Sequence, residues 1–536
     1  VVKDSDKEIK GGYQAMKYRK SLLGVVGAAA LTALAGGAAS AETLVLAAPG
    51  TPEGFDGDAL RPFTQHVVVQ TYEGLTRYPK ITRDGRPLLD ASRVEGHYAE
   101  GWTVSNGGKT VTMKLREGIK SPAGNELTAA DVEWSWAKSF AQKRTGNFIA
   151  RVSNVTDVKA KSRYEVDFTL SASSAIFLNA ITLYVPGIYD STVMKEQATS
   201  EDPWGLKYLE THTAGFGTYQ LESLRAGEQA TFTLNPNYFG PKPHFDRVVW
   251  RAVPSEASRV TLLKAGQVQW IDRPSIRQAV QLQKDPNVKV EAVVGRSISS
   301  IRMNPKFKPF DDVRVRRALN YAIDKNAIKK GVFEGTGTIA KSVVPPIVDG
   351  YTDQFFTYDY NPDMAKKLLG EAGYADGFEA EVFYSGLTPW QETMAIQIAD
   401  QLNKIGLKIT PKRITDSDMR SRGAPAKQDM PFFTFEDGPI VLDPVYTMFL
   451  IAHSKGVSNR AGYNNPELDR LVDAAKEELD RDKRIELMSQ AQKIWVEDAP
   501  WIMTVYPDTM EAMSNKISGW VYYPDEHERW ADLVSE

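Results

Sequence analysis

The stretch "AEGWTVSNGGKTVTMKLREGIK", residues 99 to 120, decides how this chain is read. Within it, "KTVTMKL" (109 to 115) sets Val111, Met113 and Leu115 on one face with polar residues between them. A period of two over such a run is the pattern of a half-buried strand. The period then changes. "LTAADVEWSWAKSF" opens with Thr128 and Asp131 at capping-box spacing and continues as an apolar helix carrying Trp134 and Trp136.

The same alternation of strand and helix extends along the chain. "TYQLESL" and "ATFTLN" (218 to 224 and 230 to 235), joined through Arg225-Ala226-Gly227-Glu228, read as a hairpin. Beyond residue 300 the helices lengthen. One starts at Asn361-Pro362 and ends at Gly373; Gln391 to Ile405 stops at Gly406; Asn465-Pro466 starts a third; a fourth runs from Asp482 to Asp498. The class is mixed α/β. No internal repeat appears, and no Gly/Ser or Pro linker marks a domain boundary.

The chain has 536 residues, 42% hydrophobic and 25% charged, a globular composition with room for two or three domain cores. Its net charge is -3 and no basic run interleaves with aromatics, so nucleic acid is excluded as a partner. Residues 16 to 41 have a basic start, an apolar stretch from Leu22 to Leu34 and a small-residue end at Ala39-Ser40-Ala41. That is a signal peptide, with cleavage expected after Ala41. Residues 1 to 15 read as an upstream extension, and no later run is long enough to insert in a membrane. The chain has no cysteine, which removes disulfides, thiolate catalysis, Cys-ligated metals and an N-terminal lipid anchor. Export without an anchor points to a periplasm.

Catalytic motifs fit poorly. "GTGTIAKS" (335 to 342) resembles phosphate loops, but Ala340 replaces the second Walker glycine and Pro345-Pro346 blocks the helix that would hold the phosphate. A glycine-permitted turn is the better reading. The six histidines show no i, i+4 pair and no HExxH. Among 68 acids some carboxylate pair is inevitable, so a pair alone says nothing of hydrolysis. Of eleven tryptophans, Trp134, Trp136 and Trp250 read as core.

Several stretches, in chain order, resemble the extracytoplasmic solute-binding proteins for peptides and similar ligands, including nickel and opine binders, that feed ABC importers. They are "YEGLTRY" (72 to 78), the opening stretch with "LTAADVEWSW", "GFGTYQL" with "NPNYFG", "PFDDVRVRRALNYAIDKNAI" (309 to 328), "NPDMAKKLLGEAGY" and "GYNNPELDRLVDAAKEELD". The resemblance spans residues 44 to 525. It implies a two-lobed hinged fold with an extra domain inserted in the first lobe. Lobe I is expected from 42–80, 212–298 and 514–536, the inserted subdomain from 81–211, and lobe II from 299–513. Binding would close the cleft by a population shift, and the closed form would engage the importer.

The resemblance also gives a role to "FFTFEDGPIVLDP" (432 to 444). Asp443 and Pro444 read as the N-cap and first residue of a helix. Asp437 then falls where the family places the aspartate that pairs with a ligand's ammonium, while Phe433, Thr434 and Phe435 border the ligand and nearby main chain extends it as a strand. "GPIVL" is longer than the family's usual spacer, and phenylalanines replace its common Trp or Gly. Glu436, pointing the other way, is expected to be a solvated neighbour. The expected function is the periplasmic substrate-binding component of an ABC importer, a monomer that captures a short peptide or similar amine-bearing solute and delivers it to a transmembrane permease. No catalysis, metal or cofactor is expected. The alternatives are a binder of an opine, oligosaccharide or metal chelate, and a secreted carboxylate-dependent hydrolase.

Overall fold

The computed structural model describes residues 42–536 apart from Leu60, Asp84, Leu387 and Pro389. The expected signal peptide and the extension before it lie outside the described residues.

The opening stretch forms two antiparallel strands, Ala99–Ser105 and Thr110–Leu115, with Val111, Met113 and Leu115 buried. They sit in a four-stranded sheet with Glu165–Leu170 and Val155–Ala160. The helix Ala129–Gln142 follows, its start fixed by the Thr128 N–H donating to the Asp131 carboxylate at 2.8 Å. Trp136 is buried, while Trp134 is half-buried edge-on to Trp204.

Two larger sheets make the lobes. The first has seven strands in the order Tyr219–Arg225, Gln229–Leu234, Arg247–Ala252, Thr43–Ala48, Trp270–Ile271, Asp508–Ser514, Val288–Val294. The expected hairpin is its first pair, with a bulge between Leu221 and Ser223. The second has six strands in the order Thr338–Ile339, Trp501–Tyr506, Ile298–Met303, Phe432–Asp437, Glu379–Tyr384, Lys408–Arg413. Helices Val313–Ala322, Lys325–Val332 and Trp390–Asn403 bury their apolar sides in this lobe's core with Ile301, Met303 and Phe432. "GTGTIAKS" contributes a glycine turn and the edge strand Thr338–Ile339, with no helix after it; a Cβ at Gly337 (φ 82°) would meet the Val505 side chain at 2.6 Å.

The chain crosses between these sheets at two adjacent places. Val288–Val294 passes through Gly295-Arg296-Ser297 into Ile298–Met303, and Trp501–Tyr506 passes through Pro507 into Asp508–Ser514. The Gly295 N–H donates to the Pro507 carbonyl at 3.0 Å, and a Cβ at Gly295 would lie 2.7 Å from that oxygen. Close backbone approach therefore requires glycine here. The boundary expected at 513 falls within the strand Asp508–Ser514, which pairs in the first sheet.

Away from the crossings the lobes also touch. Arg277 Nε lies 3.1 Å from Glu334 Oε1, Leu442 N–H donates to Tyr78 Oη at 3.2 Å, and Ala175 N–H donates to the Lys476 carbonyl at 3.0 Å. These contacts hold the two lobes against each other.

Candidate functional site

The strand Phe432–Asp437 ends beside the hinge. It pairs over its whole length with Ile298–Met303, from Phe432 opposite Met303 to Asp437 opposite Ile298. On its other edge the ladder to Glu379–Tyr384 has the single register Phe383 opposite Phe433. The main chain beyond Thr434 is thus paired on one side by a strand and is free of strand pairing on the other.

Alternation divides the side chains of this strand. Phe433, Phe435 and Asp437 share one face. Phe433 and Phe435 are buried with Phe383, Met419, Met430 and Ala461. Phe435 lies between two guanidiniums, Arg302 at 4.6 Å and Arg460 at 4.7 Å from its ring centre. Arg302 is fully buried, stacks on Trp501 at 4.0 Å, and donates to the Ser458 carbonyl at 2.9 Å and to Asp437 Oδ2 at 3.3 Å. Burial draws the guanidinium down to about 10, against the pull of Asp437. Asp437 retains 15% side-chain exposure and caps the Gly438 N–H with its other oxygen at 3.1 Å. The aromatic run therefore fixes an arginine, and the arginine fixes the acid.

Thr434 and Glu436 share the opposite face. Thr434 is fully buried, its hydroxyl 3.4 Å from Gln391 Oε1. Glu436, expected as a solvated neighbour, is half-buried. Its Oε2 accepts from the Trp390 indole at 3.0 Å, and burial together with the Glu526 carboxylate pushes it up to about 7. The enclosure comes from the C-terminal segment, which packs on the first lobe: Gln70 Nε2 donates to the Glu528 carbonyl at 2.6 Å, and Trp530 N–H donates to Gln70 Oε1 at 3.1 Å.

Arg296, from the first hinge crossing, ties these parts together. Its Nη2 donates to Glu526 at 3.1 Å, its Nη1 to the Gly438 carbonyl at 2.7 Å, and its backbone N–H to Tyr522 Oη at 3.0 Å. Burial opposes its charge, but the carboxylates of Glu526, Glu436 and Asp437 together with the Tyr522 hydroxyl outweigh that and raise it. A cavity of about 970 Å³ spans the lobe boundary nearby, walled by Leu88, Val293, Val294, Ile347, Leu442 and Tyr522. Leu442 closes the long "GPIVL" spacer, so the spacer reaches this wall. Asp443 caps the helix Pro444–Ile451 through the N–H groups of Val445 (2.8 Å) and Tyr446 (3.2 Å), as the sequence indicated.

Arg296, Arg302, Glu526 and Trp390 were not singled out from the sequence. Each comes from a distant segment, and a helix-start or strand pattern around it says nothing of its partner. Among the described residues no group of three or more His, Cys, Asp or Glu is placed to hold a metal ion, and no helix is long and apolar enough to cross a membrane.

Two lobes joined by paired crossings, with charged side chains and a cavity at their boundary, define a hinged solute-binding protein. The chain belongs to the bacterial extracellular solute-binding proteins, family 5, whose middle region it matches over residues 93–459. It is a binding protein and not an enzyme. It is 28% identical over 476 residues to heme-binding protein A of Haemophilus influenzae, covering 85% of each chain. It is 28% identical over 517 residues to the dipeptide-binding protein of Escherichia coli, covering 90% of this chain and 93% of that one. In three dimensions it resembles the Helicobacter pylori periplasmic binding protein DppA in complex with the peptide STSA, with a TM-score of 0.77, 22% identity, and 92% and 98% of the two chains covered.

Proposed function

We propose that this protein captures a short peptide or similar amine-bearing solute between its lobes in the periplasm and, as a monomer, hands it to the transmembrane permease of an ABC importer. The observation that carries this reading is the strand end Thr434–Asp437. It presents one main-chain edge free of strand pairing, with Asp437 at its end, which suits an extended ligand with a cationic end. Family membership and a dipeptide-binding relative support it.

In this reading Asp437 faces the ammonium and Arg302 holds its carboxylate in place. Phe433 and Phe435 stiffen that support from below, and the main chain at Thr434 and Phe435 lines the ligand. The cavity beside Leu442 leaves room for side chains.

Solute released by unfolding the purified protein, and identified by mass spectrometry, is expected to carry a free amine. Re-adding it to refolded protein in hundredfold excess over its dissociation constant stabilises the fold by about 2.7 kcal/mol, seen as a higher melting temperature. Asp437→Asn weakens its binding by about 2–5 kcal/mol, roughly 30-fold or more, in calorimetry. Equal affinity for the solute and its N-acetylated form would reject the amine clamp.

A further inference from the structure

Away from the crossings, the lobes meet through the segment Ser173–Asn179, which follows the four-stranded sheet. One side of this segment is fixed to the first lobe. Asn154 Nδ2 donates to the Ser173 carbonyl at 3.0 Å, Phe177 packs on Phe168 with ring centres 5.0 Å apart, and the Thr76 hydroxyl donates to the Leu178 carbonyl at 2.9 Å. The other side meets the end of the helix Pro466–Glu477 and the start of the helix Arg481–Asp498. That second helix is fixed to the second lobe, where Trp495 packs on Trp501 of the six-stranded sheet with ring centres 5.1 Å apart.

The last carbonyls of a helix have no partner within it. Here they find one across the lobe boundary: the Ala175 N–H donates to the Lys476 carbonyl at 3.0 Å, and the Ser173 hydroxyl to the Glu477 carbonyl at 2.9 Å. Arg484 Nη1 donates in return to the Ala175 carbonyl at 3.2 Å, so both main-chain groups of Ala175 are taken by the second lobe. Asn179 Nδ2 donates to Asp443 Oδ2 at 3.1 Å, the oxygen that Arg484 Nη1 also faces at 3.5 Å. Asp443 is thereby buried between a helix of the second lobe and a side chain carried by the first.

We propose that this contact is a latch: Ser173–Asn179 completes a helix end of the second lobe only while the lobes are apposed, and so holds them together before any solute arrives. Rotation about the crossings carries the segment with the first lobe and Arg484 with the second. Opening returns the Lys476 and Glu477 carbonyls to water and strips Asp443 of Asn179. Each neutral bond of this kind is worth about fivefold in the closing equilibrium, and a bond with a charged partner more. The contribution is the same for every solute, so the latch sets how readily the lobes close and leaves selection to the cleft. It depends on the hinge and not on the nature of the solute.

Because the chain has no cysteine, one dye pair can be placed cleanly on the exposed positions Lys284→Cys in the first lobe and Lys366→Cys in the second. Energy transfer is measured on ligand-stripped protein, with unfolding midpoints confirming that each variant is folded. Ser173→Ala, Asn179→Ala and Arg484→Met combined are expected to shift the closing equilibrium toward the open form by about a hundredfold, seen as a fall in transfer efficiency. Arg481→Met, which breaks the pair with Asp349 inside the second lobe, leaves the efficiency unchanged. Amide exchange sets the scale. The Ala175 N–H exchanges about fivefold faster in Ser173→Ala than in wild type, while the Leu170 N–H, bonded to the Lys109 carbonyl at 2.8 Å on the first lobe's side, keeps its rate. Equal transfer in wild type and the folded triple variant, an equal fall in Arg481→Met, or an Ala175 amide that exchanges as fast in wild type as in the triple variant would overturn the proposal. Recovery of a solute without an amine would instead reject the amine-capture reading and leave the latch standing.

Discussion

Glu436 and Asp437 are consecutive residues at one strand end, yet their surroundings are opposite. Asp437 meets a guanidinium at 3.3 Å that is itself locked between Phe435 and Trp501. Glu436 meets an indole, and the Glu526 carboxylate and Arg296 guanidinium act on it with opposite signs. The strand sends successive side chains to opposite faces, and each face was built by different parts of the chain. A carboxylate's sign is therefore a poor guide to its role. On one face an arginine holds the charge; on the other, burial and a like charge work against it.

The strongest way to break this contrast is to remove the arginine. Arg302→Met keeps much of the side-chain volume but leaves Asp437 without its partner and empties the stack on Trp501. Losing one member of such a pair costs about 3–5 kcal/mol, so the midpoint of urea unfolding should fall sharply. A loss below about 1 kcal/mol would mean that water already balances Asp437, and the two acids would then differ far less than their contacts suggest.

Local signals in the sequence carried most of the fold. Thr128 and Asp131, Asn361-Pro362 and Asn465-Pro466 each start a helix where their spacing indicated, because a cap is settled within four residues. The glycines of "GTGTIAKS" made a turn for the same reason. Periodicity also showed that residues 436 and 437 point to opposite sides. What it did not contain is what covers each side. Arg302 lies 135 residues from Asp437, and its strand Ile298–Met303 mixes polar and apolar residues without a clear period. Glu526 lies in a C-terminal segment with little regular structure, where neither period applies. Arg296 acts through the hinge, a place defined by two crossings that meet only in the folded chain.

A third acid extends the comparison at smaller scale. Asp443 is buried like Arg302, and burial raises it against the opposing pull of Arg484, 3.5 Å away. Its main task is local, since it accepts from Val445 N–H and Tyr446 N–H, with Asn179 Nδ2 at 3.1 Å from the inserted domain. Asp443→Ala should lower stability by about 1–2 kcal/mol through the lost cap, and Asp443→Asn should recover most of it, because an amide oxygen caps as well. If Asn were no better than Ala, the charge toward Arg484 would be the larger part, and Asp443 would belong with Asp437.

The weakest effect is expected where neither face is closed. Glu381 lies 2.9 Å from Lys412 on the neighbouring strand, a shorter contact than the one between Asp437 and Arg302, and about half of each side chain is exposed. Distance alone would rank this pair first. Water and salt screen it, however, and both long side chains must be ordered to keep it, so exposed pairs contribute about 0.2–1 kcal/mol. Glu381→Gln should therefore shift the unfolding midpoint by no more than a few tenths of a kcal/mol, and the shift should vanish in high salt. A loss approaching that of Arg302→Met would show that contact distance, and not the face on which an acid is enclosed, decides its worth.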